Sequence, residues 1–318
     1  MAAACQTCRL QVSKNALFAI ESAAVEDANG AVPLARDYNF DMPLASDRCI
    51  CLRKFEYSET SQILTLLSSE HGLLRVMAKG AHRRTKAGSS KFDGGVDVLD
   101  IGQAVFTSDT HRDLSTLTEW KLLEGTLTLR QTLRGLYLGL YAAELITMLL
   151  EEHDPHPQIF ELTERLLVDL ATPRREEAFL AFELDLLREG GFLPQLQLCV
   201  ACGSRPSDRE VIYFSPARGG LICRNCESLE PDRLEIDPRL VRLLRQIQAL
   251  PASGPNRRVP QLTRHQTDPL NAVLAQHLQH ALGRRMRLPR YVLARRRDPA
   301  SQPSTAKPAE PAPKIPGG

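Results

Sequence analysis

Four cysteines have the spacing of a metal site. Two residues separate Cys199 from Cys202, twenty residues follow, and two residues again separate Cys223 from Cys226. Each pair can point two thiolates at one ion about 2.3 Å away, and four thiolates favour Zn²⁺ while leaving no position for the water that a catalytic zinc needs. The spacing therefore predicts a structural zinc site. Gly203, directly after the first pair, suits the positive φ that such a knuckle requires.

Two other interpretations of these cysteines stay open: two disulfides, or four unrelated buried thiols. Disulfides persist in oxidising compartments and are rare in the cytosol. The amino terminus does not read as a secretion signal, because Glu21, Glu26 and Asp27 interrupt its apolar run. We therefore expect a cytoplasmic protein whose paired cysteines bind metal.

A second pattern is a basic segment without acidic residues. Six cations occur in residues 72–91, namely Arg75, Lys79, Arg83, Arg84, Lys86 and Lys91. On a small barrel they would form a basic strand edge and loop that attracts phosphate by releasing counterions. We predict a DNA-binding surface here, the alternative being a solvated loop with incidental charge. Phe55, Tyr57 and Phe92 could stack on bases or equally fill the barrel core.

The net charge conceals how unevenly the charges are distributed. The 318 residues sum to +2, from 40 Lys plus Arg and 38 Asp plus Glu. Residues 151–189 hold eleven carboxylates and only four arginines. A second basic run lies at the end of the last long predicted helix and beyond it: Arg284, Arg285, Arg287, Arg290, Arg295, Arg296 and Arg297. This run is open to two interpretations, interaction with the helix dipole or binding of nucleic acid.

Sequence motifs for catalysis are absent. We find no phosphate-binding loop, dinucleotide fingerprint, zinc-protease helix or nucleophile elbow. His277 and His280 could share a ligand, but without a nearby carboxylate or cysteine a polar helix face is the better interpretation. No catalytic residue is assigned, and we expect a protein that is not an enzyme. No apolar stretch reaches the ~18 residues of a membrane span, so no membrane segment is expected.

The elements that must position these residues change in kind along the chain. Alternating or apolar runs predict strands at 49–52, 62–67, 73–78, 96–101 with 104–106, and 114–120. Five short strands in close succession indicate a small antiparallel barrel of the OB type. Cys49 and Cys51 share one face of the first strand and are predicted to pack in its core.

Helical spacing replaces the strands after Trp120. Apolar residues at steps of three and four predict helices at 122–150, 158–170, from Thr172-Pro173 to Gly190-Gly191, 238–250 and 268–286. The insert at 195–230 carries the four cysteines, with 211–214 and 219–222 pairing as a hairpin. The predicted class is α+β: an OB-fold barrel at 47–121, then an all-α domain at 122–297 carrying the zinc ribbon.

Both ends of the chain lie outside these predicted domains. Residues 1–46 lack a clear period, and we expect them to be disordered or to lie upstream of the true start. Residues 298–318 hold six prolines and are predicted to form a disordered tail.

Several motifs together carry a resemblance to a known family. They are YSETSQILTLL at 57–67, EHG at 70–72, AKGA at 78–81, AFELDLL at 181–187, GGFLP at 190–194, FSP at 214–216 with GG at 219–220, and HALGRR at 280–285. In this order, with the paired cysteines between them, they resemble the RecO family of bacterial recombination mediators. The resemblance covers about residues 47–293 and leaves out both ends of the chain.

The resemblance implies a non-enzymatic role in DNA repair and homologous recombination. Members of the family bind single- and double-stranded DNA, anneal complementary strands and pair with RecR. They help to load RecA onto DNA coated by single-stranded DNA-binding protein, whose acidic tail they also bind. A bacterial cytoplasmic location with the nucleoid is implied as well. Because some members lack the cysteines, zinc would stabilise the fold and take no part in chemistry.

Two functions outside this family stay open. The chain could be a zinc-ribbon subunit of a nucleic-acid-processing enzyme, which would need clustered carboxylates, for which Asp93, Asp97 and Asp100 are the nearby candidates. It could also be a protein-interaction adaptor that does not bind DNA and whose basic loop is incidental.

Overall fold

Two kinds of structure follow one another in the computed structural model, strands first and helices after. It describes residues 43–81, 91–93, 95–107, 114–207, 211–252 and 258–293. The predictions for Arg83, Arg84 and Lys86, for residues 1–42 and for the tail from 298 fall outside the described residues.

The strands of the first part are β1 Leu44–Glu56, β2 Gln62–Ser68, β3 Gly72–Ala78, β4 Phe92–Asp93, β5 Ile101–Thr107 and β6 Ser115–Glu124. The helices are α1 Leu127–Arg130, α2 Leu133–Leu149, α3 Pro157–Leu170, α4 Arg175–Glu189, α5 Pro238–Gln248, α6 Arg264–Leu282 and α7 Pro289–Val292. Between α4 and α5 lie β7 Ile212–Ser215, β8 Gly220–Ile222, the 3₁₀ turn Arg224–Leu229 and β9 Leu234–Ile236.

The first six strands close into a barrel. Their order is β3-β2-β1-β5-β6-β4, and β3 also pairs with β6 in parallel, from Val76↔Ser115 to Ala78↔Leu117. The other long strands pair in antiparallel fashion. The five long strands, closed by the parallel contact of β3 with β6, form the partly open Greek-key barrel of the OB-fold, and the short β4 also pairs with β6. The predicted fold class, an OB-type barrel followed by a helical domain with a four-cysteine insert, is confirmed.

The predicted strand at 96–101 is wrong except for its last residue. Leu99 takes a positive φ of 73°, its N–H donates to the Cys51 carbonyl at 2.7 Å, and Cys51 N–H donates to the Asp100 carbonyl at 3.0 Å. The apolar residues that suggested a strand are buried for another reason. Val96 packs inside the barrel, whereas Leu99 packs into the helical domain.

The single helix predicted at 122–150 is confirmed from Leu133 to Leu149 and is wrong in its first part. Strand β6 continues to Glu124 because Leu122 and Glu124 still pair with β5. A short helix then ends at Arg130, and α2 begins only at Leu133. Strand β1 begins at Leu44, within the segment expected to be disordered, because its first residues pair with β5 from Leu44↔Thr107 onward.

The last long helix is displaced by four residues from its predicted position at 268–286. It begins after Thr263, which forms a capping box with Gln266, and Pro269 lies within it. It ends at Gly283, which takes the left-handed conformation with φ of 62°. The arginines at 284 and beyond therefore follow the helix.

One apolar core joins the barrel to the helices. Leu52, Leu67 and Leu73 point out of the barrel and belong to the same buried cluster as α2, α3, α4 and α6. The loop after α2 also docks on β3, where His153 N–H donates to the Leu73 carbonyl at 3.0 Å. Gly72 permits this approach, since a Cβ there would lie 2.1 Å from the Asp154 carbonyl oxygen.

Candidate metal centre and nucleic-acid interface

The cysteine-bearing insert forms a compact ribbon. Strands β7 and β8 pair as the predicted hairpin, with Tyr213 opposite Ile222. The first knuckle is fixed to this hairpin, because Val200 N–H donates to the Leu221 carbonyl at 2.9 Å. Gly203 has the predicted positive φ, 74°, and its N–H donates to the Cys199 carbonyl at 2.8 Å.

The ribbon brings the four predicted ligands together. The sulfur atoms of Cys199, Cys202, Cys223 and Cys226 all lie within 4.8 Å of one another, and only Cys202 is exposed. All four are free thiols, and the 3.7 Å between the sulfurs of Cys202 and Cys223 is far beyond a disulfide bond. A tetrahedron with ligands at about 2.3 Å has edges of about 3.8 Å. These cysteines can therefore hold a metal ion, and the disulfide interpretation is wrong.

Hydrogen bonds within the ribbon prepare some of these sulfurs as thiolates. The Ser204 side chain and backbone lower the pKa of Cys202 to about 6. Burial raises the pKa of Cys199, but backbone N–H groups, foremost that of Cys223, outweigh it and the net shift is downward. Thiolate ligands are what a zinc ion requires.

Three of the six predicted DNA-binding cations lie on the described part of the barrel. Arg75 is on β3, Lys79 follows β3, Lys91 precedes β4, and all three are exposed. Both flanking strands contact β6, since Ala78 is opposite Leu117 and Lys91 accepts the N–H of Trp120 at 3.0 Å. The two ends of the segment that carries Arg83, Arg84 and Lys86 are therefore attached to one edge of one strand.

The register of the sheet adds a cation that the sequence did not single out. Arg53 on β1 is opposite Thr65 on β2, which is opposite Arg75 on β3. The next row of outward-facing residues, two positions along each strand, contains Phe55, Ile63 and Met77. We call Arg53, Phe55, Arg75, Met77 and Lys79 the outer barrel face. The alternation of inward- and outward-facing residues along β1 can be read from the sequence. Only the pairing register shows that these outward-facing side chains are neighbours.

The aromatic residues near the basic segment divide into two groups. Phe92 is buried in the barrel core. Phe55 and Tyr57 are exposed, and the Arg53 guanidinium lies 5.4 Å from the centre of the Phe55 ring. An exposed aromatic ring beside cations is the arrangement on which single-stranded bases stack.

A Ser-His-Asp group on the barrel has the residue types of a hydrolase but not the geometry. Ser68 and Ser69 donate to the buried Asp47 carboxylate, Glu70 N–H donates to it at 2.8 Å, and His71 Nδ1 lies 3.3 Å away. The Ser68 hydroxyl is thus held by Asp47, whereas a catalytic serine must give its proton to the histidine. The group fixes the turn between β2 and β3.

Other residues that the sequence offered as metal or ligand-binding candidates have structural partners. Asp97 pairs with Lys54 at 3.2 Å and with Arg130 at 2.7 Å, and Asp100 accepts from Thr126 at 3.2 Å, so both carboxylates have partners within the protein. His277 is buried, with Nε2 2.8 Å from the Phe192 carbonyl. Its predicted place on a polar helix face is wrong.

Comparison with known proteins identifies the family. The model for the Recombination protein O N-terminal domain matches residues 42–126, and that for the C-terminal domain matches residues 130–288. The chain belongs to the RecO family. A protein of Anaeromyxobacter sp. strain K, named DNA repair protein RecO, is 31% identical over 246 residues, which are 76% of this chain and 93% of the relative.

Other bacteria also carry similar members of the RecO family. A DNA repair protein RecO of Bacillus pumilus is 34% identical over 197 residues, covering 62% of this chain and 73% of its own. One of Myxococcus xanthus is 29% identical over 242 residues, with 76% and 93% covered. Membership supports a role in DNA repair and recombination. No helix among the described residues is long and apolar enough to cross a membrane.

Proposed function

We propose that this RecO-family protein is a non-enzymatic mediator that binds single- and double-stranded DNA and anneals complementary strands in the bacterial cytoplasm. The observation that carries the proposal is the outer barrel face, where exposed Arg53, Arg75 and Lys79 flank an exposed Phe55. Arg83, Arg84, Lys86 and Lys91 belong to the same proposed surface.

The proposed mechanism is electrostatic. Two DNA backbones repel each other, and cations that neutralise phosphates on both reduce that repulsion and allow bases to pair. Phosphate contacts are independent of sequence, and stacking on Phe55 is tolerant of base type. Binding is therefore expected to be largely sequence-independent and to weaken steeply with salt.

Zinc in the ribbon is proposed as a structural ion. Cys199, Cys202, Cys223 and Cys226 would hold it, and their thiolates would fill its coordination sphere. Its contribution would be to fold the two knuckles, since the apolar cluster around them is small.

Protein partners are proposed from the family resemblance. They are RecR, the acidic tail of single-stranded DNA-binding protein, and RecA indirectly. The helical domain offers a concave surface for one of them. A hollow of about 520 Å³ lies between α3 and α4, with an apolar wall that includes Leu162, Leu166 and Phe182 and with Arg165 and Arg174 among its polar residues.

The test is an annealing assay with charge-reversed protein. Lys79→Glu with Lys91→Glu should slow annealing of complementary oligonucleotides, both free and coated with single-stranded DNA-binding protein, and should flatten its dependence on salt. Arg239→Glu with Arg242→Glu is the matched control, because both arginines are exposed on α5. Equal annealing by both variants would contradict the proposal.

The same assay separates the two rival functions. A product gel run alongside would show cleaved strands if the chain were part of a nucleic-acid-processing enzyme. An adaptor with an incidental basic loop would show no DNA affinity at moderate salt.

A further inference from the structure

The described part of the segment that follows α6, up to residue 293, presents four exposed arginines. We call Arg284, Arg285, Arg287 and Arg290 the arginine platform. Within the described residues none of them forms an ion pair with a carboxylate, and the Arg290 guanidinium lies 4.6 Å from the centre of the exposed Tyr291 ring. Other arginines of the helical domain are neutralised, as Arg134, Arg174, Arg188 and Arg264 are by Glu176, Glu177, Asp185 and Asp268.

The backbone beneath the platform is anchored. The Glu144 carboxylate on α2 accepts the N–H of Arg287 at 2.7 Å and that of Leu288 at 2.8 Å. Both Glu144 oxygens therefore bind backbone amides and not a guanidinium. Met286 N–H donates to Gln279 Oε1 at 3.0 Å, and Arg134 donates to the Val292 carbonyl. A fixed backbone keeps the four arginines near one another before any ligand arrives, so binding requires less ordering of the main chain.

The platform and the Leu99 turn contact different sides of α2. Gly139 faces the turn that carries Leu99, because a Cβ there would lie 2.7 Å from the side chain of Leu99. Glu144 follows five residues later, and five residues of an α-helix turn by about 500°, which places Glu144 about 140° around the helix from Gly139. Glu144, which anchors the platform, therefore lies on a different side of α2 from the position that packs on Leu99.

The platform borders a polar hollow beside the zinc ribbon. The hollow has a volume of about 480 Å³ and is lined by Arg284, Arg285, His280, Gln276 and Gln279, together with Pro216, Asp232 and Gly283. Its donors suit phosphate oxygens, and Asp232 contributes one carboxylate. The hollow offers little apolar surface for burying protein side chains, whereas a sugar-phosphate backbone needs mainly cations and hydrogen-bond donors.

We propose that the arginine platform binds the phosphate backbone of a second DNA strand while the barrel holds the first. This inference rests on the proposed function and deepens it, because annealing requires one protein to keep two strands near each other. The platform and the outer barrel face share no residue, so each could hold a strand of its own. Tyr291 beside Arg290 offers a ring on which a base of the second strand can stack.

The test measures bridging, which means that one protein holds two oligonucleotides at once, and not only the binding of one. One oligonucleotide is immobilised, the full-length protein is added, and capture of a second, labelled oligonucleotide that is not complementary to the first is recorded. The platform variant is Arg284→Ala with Arg285→Ala and Arg287→Ala. The matched control is Arg239→Ala with Arg242→Ala and Arg258→Ala, three exposed arginines of the same domain.

We expect the platform variant to bind the first oligonucleotide within about twofold of the unaltered protein and to lose most bridging and annealing. Since each phosphate contact contributes about 0.7 to the salt slope on single strands, the slope for the second strand should fall by about two. Bridging that persists in the platform variant would mean that the second strand is held elsewhere, and the inference would be wrong.

Two further outcomes are distinct from that one. If the platform variant bridges normally but loses affinity for a polyglutamate peptide, the platform is a protein-binding surface and the inference is wrong. If the unaltered protein binds no oligonucleotide at all, the proposed function fails first.

Discussion

The barrel and the zinc ribbon are both small β structures, but what lies inside them differs. Among the residues that the structure describes, thirteen buried apolar ones fill the barrel, including Phe106 and Trp120. The cluster around the ribbon's knuckles has five buried members, and three of these are cysteines: Cys199, Cys223 and Cys226. The barrel can be stabilised by its own core, whereas the knuckles have too little apolar surface for that.

The ribbon has a second face that is stabilised by apolar packing, as the barrel is. Ile212 and Phe214 on β7 point away from the cysteines and belong to the large core of the helical domain. Tyr213, between them, faces the knuckles. One face of β7 thus attaches the hairpin to the helices by apolar packing. The other face of the same strand contacts the knuckles, which are held to the hairpin through the cysteines. Loss of metal is expected to release the knuckles and leave the rest of the fold in place.

The largest expected effect is the loss of metal from the ribbon. Cys223→Ser with Cys226→Ser should abolish binding of one Zn²⁺ per chain, because two thiolates cannot complete the site. Structural zinc sites contribute about 10 kcal/mol or more in isolated fingers, so protection of the knuckle amides from hydrogen exchange should disappear. Metal content by atomic absorption and hydrogen exchange by mass spectrometry measure both effects.

A cysteine of the barrel provides the control. Cys49 is buried in the barrel core, where desolvation raises the pKa of its thiol, so it is a packing residue and not a thiolate ligand. Cys49→Ala should keep the zinc content and cost about 1 kcal/mol in unfolding free energy. A drop in zinc content with this variant would show that zinc binding is not confined to the ribbon.

The second effect concerns a polar anchor within the barrel. Burial raises the pKa of Asp47, but hydrogen bonds from Ser68, Ser69, Glu70 N–H and His71 outweigh it, so the net pKa is lowered. Asp47→Asn should cost about 2 kcal/mol at neutral pH, because these donors lose a charged acceptor. Urea unfolding measures the loss.

The pH dependence of Asp47 has a definite sign. A carboxyl whose pKa is lowered by folding stabilises the protein above its unfolded pKa of about 3.9, and this contribution is lost as pH falls through the folded pKa. The difference between Asp47→Asn and the unaltered protein should therefore shrink toward pH 3. Glu119→Gln, at an exposed position of β6, should show no such loss at either pH.

The same contrast explains how much could be predicted from sequence. The cysteine spacing and Gly203 are local signals, and the ribbon and its hairpin follow from them. Strands β2 and β3 also carry their own alternating patterns. Tertiary contacts decided the rest: Leu99 is apolar because it reaches the helical domain from a turn, and the start of β1 is ordered by pairing with β5.

The candidate interface could be predicted only in part for a similar reason. The charge of residues 75–91 is visible in the sequence, but Arg53 joins Arg75 only through the register across β2. His277 looked like a surface residue because its burial depends on the Phe192 carbonyl, which lies 85 positions away in sequence. Long-range pairing of this kind has no local signature.

The third effect lies in the helical core on which both regions pack. Glu183 is completely buried there, which raises its pKa well above the usual range, although the Tyr141 hydroxyl donates to it at 3.5 Å. A carboxyl whose pKa is raised by folding costs stability increasingly as pH rises from its unfolded pKa of about 4.3. Glu183→Gln should therefore stabilise the protein by about 1 kcal/mol at pH 8 and very little at pH 4.

Thermal unfolding at the two pH values measures this difference. Glu161→Gln, at an exposed position of α3, is the matched control and should leave stability unchanged. A Glu183→Gln variant that is less stable than the unaltered protein at pH 8 would show that the carboxyl is ionised in the fold and paired.

The smallest expected effect returns to the barrel and the ribbon and compares one ion pair on each. Arg75 on the barrel lies 3.8 Å from Glu152, and Arg224 on the ribbon lies 3.2 Å from Glu227. Exposed pairs of this kind contribute at most about 1 kcal/mol, so removing either carboxylate should not unfold the protein. Each substitution frees one arginine for phosphate.

If DNA follows the outer barrel face and not the ribbon, only one of the two substitutions should matter. Glu152→Gln should raise the affinity for a single-stranded oligonucleotide about twofold at low salt, because Arg75 is no longer neutralised, and the gain should fade as salt screens it. Glu227→Gln should raise it less. Glu151→Gln, which removes the adjacent exposed carboxylate, controls for net charge. Equal gains from Glu152→Gln and Glu227→Gln, each above that of the control, would extend the DNA path onto the ribbon.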